Sequence, residues 1–411
     1  MGPRRSCAPS TRALAAVLAT AAALAGCGGG GKQGHHRDAT TTGAATPTSL
    51  GFPDLATKNT TRIATSDPVS VAAAAALAVF PSAAPGTHPT AVVLAPTNDW
   101  EAAIAAASLM AAPFRAPLLL STPGSLPRVT ASALNLLAPA GAQSLGGAQV
   151  VRIGDVPDPA GAVPDPANLH TVALRGSSPF ALAAAIDAYE AKRRGKYAIN
   201  VMIASAGAPR YAMPAAGYAA ESGEPVLFVT RRGIPAATRA ALIAHHRPHI
   251  YVLGPASVIP KPVLVALRRY GPVARIGAGD PAASSVAFTE YRDPACAYGQ
   301  PCVHIPGSFG WAIRSPGHGY VLIDAHATLD AAAASALSSS GSYGPQLLID
   351  DPNTLPESVL NYFLNFATPG YTGEGPTAAV YNHAWLIGGT SEISLPVQAE
   401  IDGLLEAVPQ R

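Results

Sequence analysis

Few side chains in this 411-residue sequence stand where their type and spacing suggest chemistry. Arg62 and Arg275 sit in matching short strands, Thr61-Arg62-Ile63 and Ala274-Arg275-Ile276, and each is followed by an Asp-Pro pair that opens an Ala-rich helix. A guanidinium at a strand end beside a helix N-terminus can hold a phosphate, carboxylate or sulfate. The same spacing also allows a plain ion pair, Arg62 with Asp67 and Arg275 with Asp280. Asp99, in the turn Asn98-Asp99-Trp100, and Arg175, close to the Ala173 that stands where the other copies have arginine, complete the ligand-binding candidates: Arg62, Asp67, Asp99, Arg175, Arg275 and Asp280.

Other constellations lead to less. Ile276-Gly277-Ala278-Gly279-Asp280-Pro281-Ala282 fits a G-x-G-x-x-A spacing, in which glycines let a dinucleotide approach a helix N-terminus. The equivalent turn earlier in the chain carries Ala64 and Ser66, and no acid follows at the required distance, so a tight turn capping a helix is expected. His245, His246 and His249 fall at a predicted helix end, where they suit the helix dipole better than a metal. No H-E-x-x-H, G-x-S-x-G or Walker A pattern occurs, and Asp350-Asp351 before Pro352 reads as a turn. The expectation is a protein with no catalytic residue, metal or cofactor.

The N-terminus carries a different kind of chemistry. Arg4, Arg5 and Arg12 precede an apolar run from Ala13 to Ala25 that ends in Leu24-Ala25-Gly26-Cys27. A charged start, a short apolar segment and a small-residue cut site form a bacterial signal peptide over residues 1–26, too short to span a bilayer. The tetrapeptide resembles a lipobox, which implies a diacylglyceryl group on Cys27 and a mature chain anchored to the cell membrane on its extracellular or periplasmic side. Residues 27–60 are rich in Gly, Thr, Ser, His and Pro and read as a flexible linker. Cys7 leaves with the signal, so Cys296 and Cys302 remain and are expected to pair in an oxidising compartment. Removing three Arg with the signal leaves 24 basic against 25 acidic side chains, a balance that argues against nucleic acid as a partner. Lys192-Arg193-Arg194 reads as a solvated helix end.

The elements that position these residues recur three times. Arg-Ile with a Pro-started helix appears at 62 and 275, with a weaker copy from Ala173-Leu174 to Ser178-Pro179. Ala116-Pro117-Leu118-Leu119-Leu120, Glu224-Pro225-Val226-Leu227-Phe228 and Gly344-Pro345-Gln346-Leu347-Leu348 form a second signature, each followed by a helix-opening Pro at 127, 235 and 356. A third is a strand ending in Gly, at Gly154, Gly254 and Gly388; the last two continue alike, whereas the first runs into a Pro-Asp-rich connection. One more strand lies in each copy, around Thr90–Leu94, Ile199–Ala204 and Tyr320–Ile323. Short, continuous apolar strands alternating with helices call for parallel sheets covered on both faces. The fold class expected is α/β, with three tandem Rossmann- or flavodoxin-like units at 61–156, 168–273 and 274–408, the last carrying an insertion at about 292–318 that holds the cysteine pair.

In the order and triplication of these pieces, the chain resembles the cell wall binding repeat 2 family over about 350 residues. The resemblance implies three modules packed about a pseudo-threefold axis. It also implies non-covalent attachment to a secondary cell wall polymer or a peptidoglycan-associated glycan. A solute-binding lipoprotein of a transporter and an extracellular scaffold for protein assembly are the other readings the sequence leaves open.

Overall fold

The computed structural model describes residues 55–84, 86–162, 169–293, 307–311, 319–339, 344–371 and 379–409. Cys27, Cys296 and Cys302, and with them the lipidation and disulfide expectations, lie outside the described residues. Those that are described all belong to one unit, Pro47–Arg411.

Two strands, β1 (Leu55–Ala56) and β2 (Thr60–Ile63), lead into helix α1 (Pro68–Val79). The first copy continues with β3 (Val92–Pro96), α2 (Trp100–Ala106) with a 3-10 turn over Ala107–Met110, β4 (Leu118–Ser121), α3 (Arg128–Leu137) and β5 (Val150–Ile153). The second begins with β6 (Thr171–Leu174) and α4 (Pro179–Arg194). It runs on through β7 (Asn200–Ser205), α5 (Pro209–Ala212), α6 (Pro214–Ser222), β8 (Val226–Val229), α7 (Ala236–Ala244), β9 (His249–Leu253) and α8 (Lys261–Leu267). In the third come β10 (Val273–Ile276), α9 (Pro281–Thr289), β11 (Gly319–Asp324), α10 (Thr328–Ala333), α11 (Ser335–Ser338), β12 (Gln346–Ile349) and α12 (Glu357–Asn365). It ends with β13 (Gly370–Tyr371), β14 (Ala379–Val380), β15 (His383–Ile387), α13 (Leu395–Leu404) and β16 (Val408–Pro409).

The fold is α/β, with Rossmann-like sheets flanked by helices. Strands β3, β4, β7, β8 and β12 are buried at every residue, as parallel strands covered on both faces must be. Helix starts follow local chemistry. Asp67, Asp99, Ser178 and Asp280 cap α1, α2, α4 and α9 through side-chain oxygens that accept backbone N–H groups, and Pro stands in the first turn of α1, α4 and α9. The helices after Leu-Pro or Ile-Pro gain a further tie, since Thr130 and Thr238 hydroxyls donate to the carbonyls of Leu120 and Phe228 at 2.6 and 2.7 Å.

The sheets do not follow the sequence copies. The three larger sheets have strand orders β4-β3-β5-β6, β8-β7-β9-β10 and β12-β11-β15-β2-β1, beside a small sheet of order β14-β13-β16. The strand that opens the second copy, β6, therefore completes the first sheet, in parallel register from Val150↔Thr171 to Ile153↔Leu174. Likewise β10 completes the second, from Val273↔Ile250 to Ile276↔Leu253. The third sheet is completed from the other end of the chain, because β2 pairs in parallel with β15 from Ala384↔Thr60 to Ile387↔Ile63. Sequence similarity marks where a motif recurs, and it carries no information on which neighbour's edge that motif pairs with.

The helices after these shared strands interlock the sheets. Helix α4 packs on α2 of the first copy and on α7 and β8 of the second; α9 packs on α5 and on β12 and α12; α1 packs on α10 and α11 and on α3 and β4. That placement accounts for the composition of α1. With no charge in twelve residues and Val69, Val71 and Ala72 to Ala76 buried, it is covered on more than one side.

Candidate functional site

In an open parallel sheet, ligands bind beyond the carboxyl ends of the strands, where loops leave in opposite directions. The chain has three such places. Each is bounded by the loop after β3, β7 or β11, the Gly-ended loop after β5, β9 or β15, and the helix cap after β6, β10 or β2.

The two arginines lie beneath these places, and their guanidinium groups are already occupied. Arg62 is 1% exposed. Its Nε and Nη2 donate to Gln398 Oε1 at 3.0 and 2.9 Å, Nη1 to the carbonyls of Gly388 and Gly389 at 2.9 and 2.8 Å, and Nη2 to that of Ile393 at 2.7 Å. All five N–H donors are thus committed to the loop after β15 and to α13. Arg275 makes the same clamp, donating to the carbonyls of Gly254 and Ile259 at 2.6 Å each. Burial pulls both guanidinium groups below their ordinary pKa, and for Arg62 the nearby Glu392 opposes the shift. Both side chains hold a loop: Arg62 commits every N–H donor, Arg275, half-buried, commits two, and neither makes the ion pair with Asp67 or Asp280 that the spacing allowed. Asp67 instead accepts Val69 N, Ser70 N and the Ser70 hydroxyl, and Asp280 accepts Ala283 N.

The copy that lacks this arginine is explained by the same geometry. Ala173 on β6 lies opposite Arg152 on β5. The loop after β5 lacks the segment that Arg62 and Arg275 clamp in the other sheets, and Arg152 on the neighbouring strand reaches Asp158 at 3.2 Å instead. Arg175 is exposed and pairs with the still more exposed Asp155, Nη1 to Oδ1 at 3.1 Å, at the mouth of the first crevice.

The first crevice is a cavity of about 240 Å³ whose polar lining includes Asn98, Asp99, Glu101, Asp155, Ser177 and Ser178. Burial raises the Asp99 carboxyl, opposed by the Ala102 N–H it accepts. The Glu101 carboxyl is pushed up to about 7 by burial, with Asp99 adding to the shift. In the second crevice, the Tyr211 ring covers Gly254, whose added Cβ would stand 3.3 Å from Tyr211 Cβ, and its hydroxyl donates to the Gly279 carbonyl at 2.8 Å. Gly277 packs against Gly254, where a Cβ would meet backbone at 2.7 Å. The glycine spacing that could suit a dinucleotide thus serves close strand packing under a tyrosine.

The third crevice is acidic. Asp330, 3% exposed, is pushed up to about 7 by burial, then by Asp324, Glu392 and Asp67. Asp324 Oδ1 accepts His326 Nδ1–H at 2.9 Å, and the Glu392 side chain lies over Gly388.

The remaining histidine and charge clusters are structural. His245 is buried, with Nδ1 2.8 Å from the Ala198 carbonyl and Nε2 2.8 and 3.0 Å from the Asp187 carboxylate, whereas His246 and His249 are exposed. Asp351 accepts Asn353 N at 2.8 Å, a local turn. Lys192 is exposed, but Arg194 is not a simple solvated helix end. It lies 4.7 Å from the Phe114 ring, donates to the Ala112 carbonyl, and stands 3.7 Å from the buried Glu190, which also accepts the Ser108 hydroxyl across the first and second copies. Burial pushes Glu190 up to about 8, with Arg194 and Ser108 opposing it. Among the described residues, no group of three His, Cys, Asp or Glu is placed to hold a metal ion.

Solved structures share this architecture, among them Cwp6 and Cwp8. Cwp6 from Clostridium difficile superposes with a TM-score of 0.58 at 13% identity, over 85% of this chain and 48% of its own. Cwp8 from Clostridium difficile gives 0.59 at 16%, over 84% of this chain and 52% of its own. The likeness is one of fold. The chain spans about half the length of these two proteins. No family model and no curated protein matches it.

Proposed function

We propose that this protein is a non-catalytic component of the cell envelope, tethered through a lipid on Cys27, that binds cell wall glycan non-covalently through its three repeated units. The observation that carries the reading is the fold itself: three interlocked α/β sheets, alike in Cwp6 and Cwp8, which are cell wall proteins. The contact surface is assigned to the strand-end crevices, where hydroxyl-rich ligands meet carboxylates, amides and helix-cap hydroxyls. A pseudo-threefold packing of the units belongs to the same proposal, supported by three equivalent groups, α2 with its 3-10 turn, α5 with α6, and α10 with α11, each of which touches the other two.

The test is co-sedimentation of unlipidated mature protein, Cys27→Ser with the signal removed, with purified cell walls before and after secondary polymers are stripped. Retention on intact walls and release from stripped ones is the expected result for a secondary polymer; retention on both points to a peptidoglycan-associated glycan. Protein that stays in the supernatant with both preparations rules the reading out.

A further inference from the structure

The three crevices are equivalent in position and unlike in content. Helices α2, α5 and α10 start from Asp99, Ala208 and Ala327, and the third residue beyond each cap is Ala102, Tyr211 and Asp330. Tyr211 crosses its crevice to the Gly279 carbonyl, next to the cap residue Asp280, which adds to burial in raising the phenol above its ordinary pKa. Asp330 senses Asp67, the corresponding cap in the third sheet. Tyr211 thus reaches from the first turn of one helix toward the cap of the next. Ala102, at the equivalent position, is fully buried, and the first crevice holds a cavity of about 240 Å³ whose apolar lining is Pro96, Gly154 and Leu182.

We propose that the first crevice is the glycan-binding site and that it takes one neutral sugar ring, while Tyr211 covers its counterpart in the second sheet. The proposal rests on the wall-binding reading above and deepens it. Size sets the unit, since the cavity falls below the roughly 300 to 1,000 Å³ of sites that enclose drug-sized ligands. Charge sets the class. Asp99, Glu101 and Asp155 line the cavity, while Arg175 is held on the solvent side by Asp155. Carboxylates and the Asn98 amide oxygen accept hydrogen bonds from vicinal hydroxyls, and the Ser177 hydroxyl and Asn98 amide N–H can donate back to ring or hydroxyl oxygens. A phosphate or uronate in the same place would face three carboxylates. The apolar floor of Pro96 and Leu182 suits the C–H face of a sugar ring.

The experiment uses unlipidated mature protein and purified walls, with three forms compared: wild type, Asn98→Trp and Tyr211→Ala. Asn98 is exposed at the rim, where Trp covers the opening without entering the core. Wall affinity is expected to fall at least tenfold in Asn98→Trp and to hold or rise in Tyr211→Ala. Neutral wall saccharides separated from the anionic fraction should compete with walls for wild type. If wild type binds walls and the Asn98→Trp form binds equally well, the crevice assignment is wrong while wall binding stands. Competition by the anionic fraction alone overturns the ligand class. Failure of wild type to bind refutes the wall-binding reading itself.

Discussion

At the scale of single residues, polar groups divide into those that hold the fold together and those left facing a cavity. Arg62 is of the first kind, and its bonds run to residues more than 320 positions away in sequence. Arg62→Ala leaves several buried carbonyls without a donor and is expected to destabilise by about 3 kcal/mol in denaturant unfolding, with Lys unable to restore the planar fork. Arg175→Ala, which breaks an exposed pair, should change stability by about 0.5 kcal/mol or less. Asp330 gives a pH signature. Its folded pKa of about 7 lies above its ordinary value of 3.8, so the folded state holds a proton that the unfolded chain has released between those pH values. Its contribution to stability is therefore full below about pH 4 and is lost as pH rises to about 7. Asp330→Asn should remove that loss, leaving the variant more stable than wild type by a few kcal/mol, on the order of 4 at most, above pH 7. A thermal-melt series from pH 4 to 8 in which the variant and wild type keep a constant difference would refute this assignment. Glu101 supplies a functional counterpart: wall retention should weaken as pH falls through about 7 and its carboxylate is protonated, and Glu101→Gln should flatten that dependence.

At the scale of elements, the N-terminal strand has the largest role for its size. Strand β2 contributes only Thr60–Ile63, yet it pairs with β15 in the third sheet, with only the two-residue β1 outside it, and carries Arg62 into its clamp. Deleting residues 55–63 is expected to expose β15 as an unpaired edge and to release the loop after it, lowering Tm and promoting aggregation. Protein that melts as wild type after this deletion would show the strand to be dispensable. What the sequence revealed follows the same division between local and distant. The strands, caps and helix starts were readable because they depend on continuous apolar runs and on Asp, Ser and Pro at helix starts. The partner of β2 was not, because strand pairing across the length of the chain leaves no local mark. One distant relation did leave a trace. Ala173 replaces the arginine in the copy whose preceding loop also lacks the Ala-Ser-Val-Ile-Pro-type continuation, and the structure shows both to be parts of one clamp. Ala102, Tyr211 and Asp330 hold the same place in their copies, but without an aligned helix start nothing in their types marks them as equivalent.

At the scale of the whole unit, the pairing forms a cycle. Strand β6 and helix α4 join the first sheet to the second, β10 and α9 join the second to the third, and β2 and α1 join the third back to the first. No copy owns all of its sheet, and every sheet lends an edge to the element that reaches its neighbour. Stability should therefore be shared, unlike that of a linear solenoid, whose repeats touch only adjacent repeats and whose end repeats can be removed one at a time. Truncation after Pro272 tests this sharply. It removes β10, the outer strand of the second sheet, and β15, the partner of β2, together with α10 and α11, which cover α1. The two copies that remain would keep their own apolar sequences but present unpaired strand edges and the uncharged surface of α1 to water. The expected outcome is a single cooperative unfolding transition for the mature protein, and for the truncated form a lower Tm with self-association seen by light scattering. A truncated protein that is monomeric and melts no lower than the mature form would mean that the copies are independent, and that the cycle of shared strands does not govern the stability of the fold.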